Sequence, residues 1–202
     1  MLKEFKKGML FVGGQLKRYW NFLQEDSLKA VFVFLVTAIL FLVLIFFPCL
    51  RLLTGSDYPL VIVESCSMYH HDYGFENTFT SPIYGENNIS INDTDNWIFP
   101  NGLKKGDIIF IVEPKNLEKG DVIIFSSGRS SVPIIHRLVD DVEPYATKGD
   151  NYISNSGQFS EEMNIIEEQV LGKAVFRIPG LGWIKLILFD WRNPAGYRGF
   201  CN

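Results

Sequence analysis

Cysteine is scarce in this chain, with three residues among 202: Cys49, Cys66 and Cys201. Three cysteines do not make the disulfide framework that holds small secreted domains together. Any pairing among them is therefore expected to be incidental to the fold. Cys66 is a candidate thiol nucleophile, although a small residue that fills a tight turn is the simpler interpretation.

Histidine is equally scarce, and His70, His71 and His136 are the complete set. His70 and His71 precede Asp72, but adjacent side chains on an extended chain point in opposite directions, and nothing nearby completes a metal-ligand set. We predict polar loop residues there, with no metal and no cofactor. His136 lies in an apolar run, where it either serves packing or is held neutral, as a general base requires.

Basic side chains are few directly after residue 50, since only Arg51 lies within the following twenty positions. Residues 1–29 hold six basic and three acidic side chains, so they carry +3 of a whole-chain charge of −4 and leave −7 on the remainder. A remainder this acidic argues against nucleic acid as a partner.

Charge is absent from residues 30–50, an apolar run that is bracketed by Lys29 and Arg51 and has Thr37 as its clearly polar member. As a helix the run is about 30 Å long, which matches one hydrocarbon core. A cleavable signal peptide has a shorter apolar region and a small-residue cleavage site. The run is therefore predicted to be an uncleaved transmembrane helix, with a buried core helix as the alternative.

The charge asymmetry around this helix predicts its orientation. Because basic residues concentrate before the helix, residues 1–29 are expected in the cytoplasm and residues 51–202 outside it. This makes the chain a single-pass protein of the cell membrane, with the lipid bilayer as a partner. About 150 residues remain outside, enough for one domain with its own core.

The outer part shows short β-branched runs separated by turn residues. Lys105-Gly-Asp is echoed fourteen residues later by Lys119-Gly-Asp, and each triplet predicts a turn that leads into a strand. Strands are predicted within residues 58–64, 105–112, 119–125, 132–139 and 172–178. Short strands at this spacing, without helices between them, predict a mainly β fold with an antiparallel sheet or barrel.

Two segments depart from this pattern. Residues 70–102 are rich in Asn, Asp, Gly, Ser and Thr, which predicts an irregular polar surface insertion. It contains two glycosylation acceptor patterns, at Asn88 and Asn92. Residues 181–189 are too few to span a bilayer and are predicted to be an interfacial segment or a last packed element.

Ser67 is the leading candidate nucleophile because it follows the first predicted strand and is separated from Leu50 by only sixteen residues. A serine that cleaves an amide needs a base, oxyanion donors and usually an acid that holds the base. His136 is the candidate base, Ser65 a candidate oxyanion donor and Asp150 the candidate acid.

Five blocks of the sequence together resemble type I signal peptidase. They follow the usual order of that family and cover most of residues 51–202 except the insertion. The blocks are Ser65-Cys-Ser-Met68, Lys119-Gly-Asp-Val-Ile-Ile-Phe125, Pro133-Ile-Ile-His-Arg137, Thr147-Lys-Gly-Asp-Asn151 and Glu167–Pro179. A histidine at 136, with no lysine in its block, resembles the archaeal and endoplasmic-reticulum branch rather than the bacterial one.

The resemblance implies a membrane-anchored serine endopeptidase with a β-rich catalytic domain. Position by position, Ser67 matches the nucleophile, His136 the general base and Asp150 the aspartate of the Gly-Asp-Asn block. Ser65 matches the residue whose hydroxyl joins the oxyanion hole in bacterial relatives. The implied substrates are the signal peptides of preproteins, cut after small residues, and the protein-export channel is a further candidate partner.

Three positions depart from the family's pattern. Cys66 stands where a glycine is usual, His70 where a proline is usual, and Ser156 where a second aspartate is common. The acid that orients the histidine therefore has several candidates: Asp150, Asp140, Asp141 or Glu161.

Two other functions fit the same sequence. One is a catalytically impaired relative that acts as a membrane-tethered binding domain. The other is a peptidase dedicated to one surface protein, for which the insertion after the nucleophile leaves room.

Overall fold

The structure, a computed structural model, describes residues 13–15, 17–70, 75–128, 132–192 and 198–201. The chain divides into two compact units, residues 1–50 and residues 51–202. The described residues of the first unit are mainly helical, and the second unit contains the β-sheet.

One helix among the described residues is long and apolar enough to cross a membrane, from Leu28 to Thr54. It consists of α1 (Leu28–Phe41), a π-helical turn (Leu42–Phe46) and α2 (Phe47–Thr54). Ser27 caps its start by accepting a hydrogen bond from the Ala30 N–H at 3.1 Å. The π-helical turn ends two residues before Pro48, which lacks the N–H that would continue the regular ladder. The helix extends beyond the predicted run at both ends.

Six antiparallel strands form one sheet in the second unit. Their spatial order is β1-β2-β6-β3-β4-β5, so β1 and β5 are the edges. The strands are β1 (Leu60–Ile62), β2 (Ile108–Val112), β3 (Val122–Phe125), β4 (Ile134–Asp140), β5 (Ala146–Lys148) and β6 (Val170–Ile178). Irregular registers interrupt three of the pairings and help the sheet to curl. The predicted antiparallel sheet is confirmed, although β1 is shorter than expected and β5 was not predicted.

The two Lys-Gly-Asp triplets form matching turns, as predicted. Gly106 and Gly120 have φ of 91° and 95°, a conformation that favours glycine. In each turn the aspartate accepts a hydrogen bond from the backbone N–H three residues earlier, at 2.9 Å for Asp107 and 2.8 Å for Asp121. A tryptophan indole lies against each glycine, where a Cβ would collide with it. The repeated sequence thus builds a repeated local structure that starts β2 and β3.

The described part of the predicted insertion is more ordered than a polar surface loop. Residues 75–102 contain short helical turns and α3 (Pro82–Glu86). Tyr84, Ile89 and Trp97 form a buried cluster with Val139 of β4. The scattered aromatic side chains order this polar segment because they pack against the sheet. Asn88 and Asn92 are both exposed.

Residues 181–189 contain α4 (Trp183–Phe189), a short helix with two unlike faces. Leu186 is buried against the domain, and Lys185 pairs with Glu64 at 2.8 Å. The opposite face is apolar and exposed at one-turn spacing, which we call the α4 stripe: Ile184, Ile187, Leu188 and Trp191. The segment is a packed element that presents an apolar surface.

Cys66 and Cys201 form a disulfide with a Cα–Cα distance of 5.6 Å, a specific pairing that the sequence did not predict. Their separation of 135 residues hides this proximity in the sequence. Cys66 is therefore no thiol nucleophile in this structure. Cys49 is free and exposed.

Candidate functional site

The turn that carries Ser67 follows β1, as the sequence predicts. Its side-chain oxygen lies 3.1 Å from that of Ser65, within hydrogen-bond distance. Ser65 is exposed and Ser67 is half-buried, so both hydroxyls are near solvent. Met68, the next residue, is buried in the main core, and its carbonyl accepts the N–H of Leu103 at 2.7 Å. A fixed backbone on one side thus presents two adjacent hydroxyls on the other.

The segment after β5 holds this turn from the opposite side. The backbone N–H of Asn151 donates to the Ser67 carbonyl at 2.8 Å, and its side-chain Nδ2 donates to the Cys66 carbonyl at 2.8 Å. Since β1 and β5 are the two edges of the sheet, these bonds join its edges through the segments that follow them. The candidate site therefore lies where the curled sheet comes closest to closing.

His136 lies in the middle of β4, opposite Ile123 of β3, and is 6% exposed. Its Nδ1 atom is 2.6 Å from Oε1 of Glu162. An N–H in the plane of the ring is not aligned with that oxygen, so the carboxylate closely approaches the ring nitrogen without making a straight hydrogen bond. A carboxylate at Nδ1 favours the tautomer that leaves Nε2 able to accept a proton.

Glu162 is fully buried and is held by three further groups. Its Oε1 accepts the N–H of Gly149 at 2.9 Å and Nδ2 of Asn155 at 2.7 Å, while Oε2 accepts the N–H of Phe159 at 2.6 Å. Burial alone raises the pKa of this carboxyl, but His136 and the donors of Phe159 and Asn155 outweigh burial and leave the pKa below its usual range. Glu162 is thus a charged, fixed partner for the histidine.

Gly149 connects the histidine pair to the serine turn. Its N–H donates to Glu162, and a Cβ on this residue would lie 2.8 Å from the Ser67 carbonyl oxygen and 2.8 Å from Nδ2 of Asn155. Both approaches are closer than real Cβ contacts allow. The absence of a side chain here lets the two parts of the site pack together.

The expectation that Asp150 orients His136 is not met, because the contacts of Asp150 lead elsewhere. Arg137 donates hydrogen bonds to both carboxylate oxygens of Asp150, from Nε to Oδ1 at 2.9 Å and from Nη2 to Oδ2 at 2.6 Å. Nε2 of His70 lies 2.8 Å from Oδ2. Burial raises its pKa, but the Arg137 charge and these hydrogen bonds prevail and lower the pKa to about 2. Since His136 and Arg137 are adjacent in a strand, their side chains point to opposite faces, and so do their carboxylate partners.

Arg137 also contacts several separate segments of the domain. Its guanidinium is fully buried, donates to the carbonyls of Ile98, Phe99 and Gly120, and lies 4.4 Å from the ring centre of Trp97. The Arg137–Asp150 pair thereby joins the insertion, the second Lys-Gly-Asp turn and the Gly-Asp-Asn block.

The other acids considered from the sequence also have different partners. Asp140 accepts the N–H of Val142 at 3.1 Å, Asp141 is exposed, and Glu161 accepts a hydrogen bond from Ser160 at 3.1 Å. Glu162 directly follows Glu161 but was not among the acids predicted from the sequence. The available signal was weak: Glu162 is the third residue of a short helical turn, where a glutamate often reaches back to the first N–H.

A buried lysine was also missed. Lys148 is fully buried at the end of β5 and donates to the side-chain and backbone oxygens of Asn155 and to the Gly149 carbonyl. Burial lowers the pKa of its ammonium group, while the negative charges of Glu162 and Asp150 act in the opposite direction. Its contacts stabilise the loop that contains Asn155, which in turn holds Glu162.

No metal-ligating cluster occurs among residues 13–15, 17–70, 75–128, 132–192 and 198–201. His70 stacks on Phe75, with ring centres 3.6 Å apart, and pairs with Asp150. His71 and Asp72 lie outside the described residues, so His70 is the one member of the His70-His71-Asp72 group whose contacts are described.

The site combines a serine pair, a buried histidine and a fixed carboxylate, which are the groups for proton transfer and acyl transfer. No protein-family model matches this chain, and no curated protein sequence matches it.

Proposed function

We propose that this protein is a membrane-anchored serine endopeptidase that removes N-terminal signal peptides from exported preproteins. The observation that carries the proposal is the buried His136–Glu162 pair, joined through Gly149 to the turn of Ser67. The resemblance of five sequence blocks to type I signal peptidase supplies the substrate class.

In the proposed reaction Nε2 of His136 takes the proton from Ser67 as Oγ attacks the scissile carbonyl. Glu162 at Nδ1 holds the imidazole and stabilises its positive charge. The backbone N–H of Ser67 and the hydroxyl of Ser65 donate to the oxyanion. The imidazolium then protonates the leaving amine of the mature protein, and water releases the signal peptide from the serine by the reverse proton path.

Ser67 Oγ is hydrogen-bonded to Ser65, and among the described residues no hydrogen bond joins it to His136. Catalytic hydrogen bonds are often long in free enzymes and tighten when substrate binds. The proposal therefore requires the Ser67 side chain to rotate from Ser65 towards the imidazole, which leaves the Ser65 hydroxyl available for the oxyanion.

An edge strand supports binding of an extended substrate. β1 pairs only with β2 in the sheet and leads directly into the Ser67 turn. An extended segment of preprotein can add to this edge by main-chain hydrogen bonds, which places its scissile bond near the serine. Shallow pockets for small side chains before the cut are the specificity that the resemblance implies.

The α4 stripe supports a position at the bilayer surface. Ile187 is 73% exposed and Trp191 is 65% exposed, an arrangement that costs free energy in water but suits the membrane interface. α4 also contacts the serine turn through the Lys185–Glu64 pair, three residues before Ser67. We propose that residues 30–50, within the helix from Leu28 to Thr54, span the cell membrane, with residues 51–202 on its outer side.

The test is cleavage of a preprotein by the purified full-length protein in liposomes. We expect one cut after a small residue, and we expect Ser67→Ala and His136→Ala each to abolish it. Ser154→Ala, an exposed serine outside the site, is the matched control and should retain activity. Absence of cleavage of several preproteins from its own source, by well-folded protein, would favour a membrane-tethered binding domain instead.

A second candidate is a peptidase dedicated to one surface protein. It is favoured by an open groove of about 390 Å³ between the insertion and residues 152–158. Thr80, Pro82 and Glu86 line one side, and Tyr152 and Gln158 line the other. Cleavage of one native protein with no cleavage of general preproteins would identify this function.

A further inference from the structure

The Cys66–Cys201 disulfide joins the candidate active site to the C-terminal segment. Cys66 lies between the two serines whose hydroxyls face each other, and its partner is 135 residues away. We infer that this disulfide positions the nucleophile turn, so that its reduction lowers the rate of the reaction proposed above, on which this inference rests.

The C-terminal end of the bridge is firmly held. The N–H of Gly199 donates to Oδ2 of Asp190 at 2.8 Å, and Oδ1 of Asp190 is 2.6 Å from Nζ of the buried Lys105. Phe200 packs on Trp183, with ring centres 4.4 Å apart. The disulfide therefore links Cys66 to a fixed point of the domain rather than to a loose tail.

The same fixed point also supports the strand before the turn. Lys105 precedes Gly106, whose N–H donates to the Val63 carbonyl at 2.9 Å, and the Lys105 carbonyl accepts the indole N–H of Trp183 at 3.0 Å. The backbone from Val63 to Cys66 is thus held at one end by hydrogen bonds and at the other by the disulfide. Both restraints depend on the first Lys-Gly-Asp turn, because Gly106 donates the hydrogen bond and Lys105 pairs with Asp190, which holds the C-terminal segment.

On its other side the turn depends on Asn151, which binds the Cys66 and Ser67 carbonyls. These bonds fix the peptide oxygens but not the side-chain face that carries the hydroxyls. Without the disulfide, the turn that carries the exposed Ser65 and the half-buried Ser67 loses its covalent link to the C-terminal segment. Because misplacement by about 1 Å can cost roughly 10² in rate, a loosened turn lowers turnover.

The redox step balances with an external dithiol. One thiolate of the dithiol attacks a sulfur of the disulfide, which breaks the Cys66–Cys201 bond and forms a mixed disulfide. The second thiolate then attacks the mixed disulfide, which releases the cysteine and leaves the dithiol as a cyclic disulfide. Two electrons and two protons pass to the cysteines, which become thiols. Reoxidation by a small disulfide reverses the change.

The experiment compares full-length protein in liposomes before and after dithiothreitol, with preprotein as substrate. We expect kcat to fall by at least about tenfold while KM changes less than about twofold, and reoxidation to restore kcat. A Cys66→Ala, Cys201→Ala double variant should show the lowered kcat and no further response. Cys49→Ala, which removes the exposed free cysteine, should respond to dithiothreitol as the wild type does.

Two measurements separate this inference from the proposed function. Peptide mapping without reductant should recover Cys66 joined to Cys201, and hydrogen exchange of the residue 65–67 amides should accelerate on reduction, whether or not the protein cleaves preproteins. Equal kcat in both redox states would overturn the positioning role, as would a joint loss of kcat, substrate affinity and thermal stability. Faster exchange in a protein that cleaves nothing would instead refute the peptidase function alone.

Discussion

Nδ1 of His136 lies 2.6 Å from Oε1 of Glu162, a carboxylate that is fully buried and bound by Gly149, Asn155 and Phe159. This relationship assigns the acid beside the histidine to a residue outside the Gly-Asp-Asn block. Asp150, the aspartate of that block, forms an ion pair with Arg137 on the other face of the same strand.

Glu162→Gln should reduce kcat by about 10³ to 10⁴ with little change in KM, because the imidazole loses the charge that holds its tautomer and stabilises its protonated form. Preprotein cleavage kinetics measure this. Glu161→Gln, its immediate neighbour, is the matched control and should stay within about twofold of wild type. Equal losses in both variants would point to a disturbed loop rather than to a catalytic acid.

Asp150→Asn should lower the free energy of unfolding by about 3–5 kcal/mol, since it leaves the buried Arg137 guanidinium without its charged partner. Chemical denaturation of the detergent-solubilised protein checks this. Asp140→Asn changes a half-buried aspartate that accepts one backbone N–H and should cost about 1 kcal/mol or less. A stable Asp150→Asn protein with abolished turnover would restore Asp150 as the catalytic acid.

Acid should destabilise the outer domain through the same carboxylates. Both Asp150 and Glu162 have a pKa below that of the unfolded chain, so their stabilisation is complete above about pH 4–5 and is lost as pH falls through the folded-state values. For Asp150, with a pKa of about 2, this amounts to about 2 kcal/mol between pH 4 and pH 2. Unfolding free energies across a pH series should show this slope, and Asp150→Asn should flatten it. A loss centred between pH 6 and pH 7 would implicate histidines instead.

Gly149→Ala should lower kcat by about 10², because the new Cβ has to displace either the Ser67 carbonyl or the Asn155 amide. Steady-state kinetics on the preprotein measure the effect. Gly157→Ala lies in the same loop region with nothing within 4 Å of the added Cβ, and it should behave as wild type. Normal turnover in Gly149→Ala would show that the serine turn tolerates displacement.

Charges on the α4 stripe should weaken cleavage only where the substrate is in a membrane. Ile184→Asp with Ile187→Asp should reduce cleavage of a liposome-embedded preprotein by at least about tenfold, since burying a large aliphatic side chain contributes about 1.5–3 kcal/mol. Cleavage of a short soluble peptide should be unchanged. Val142→Asp, at another exposed apolar position, is the control. Equal losses on both substrates would argue against a membrane-facing role.

Several features were predictable from the sequence because they depend on local patterns. The apolar run predicted a helix able to span a membrane, and alternating β-branched residues with Gly-Asp turns predicted the antiparallel sheet. The position of Ser67 after the first strand follows from the same local pattern. These properties can be predicted without knowledge of long-range contacts, since hydropathy and turn chemistry act over a few residues.

Other features were decided by the tertiary structure alone. The partners of His136 and Asp150 depend on which face of β4 each loop covers, and a strand's alternation separates neighbours that the sequence places together. The Cys66–Cys201 pairing likewise depends on a C-terminal segment brought back by Lys105 and Asp190. The sequence by itself determined the anchor-like helix, the sheet and the candidate serine. Only the tertiary structure decided which carboxylate pairs with His136 and which with Arg137, because distance along the chain carries little information about distance in space.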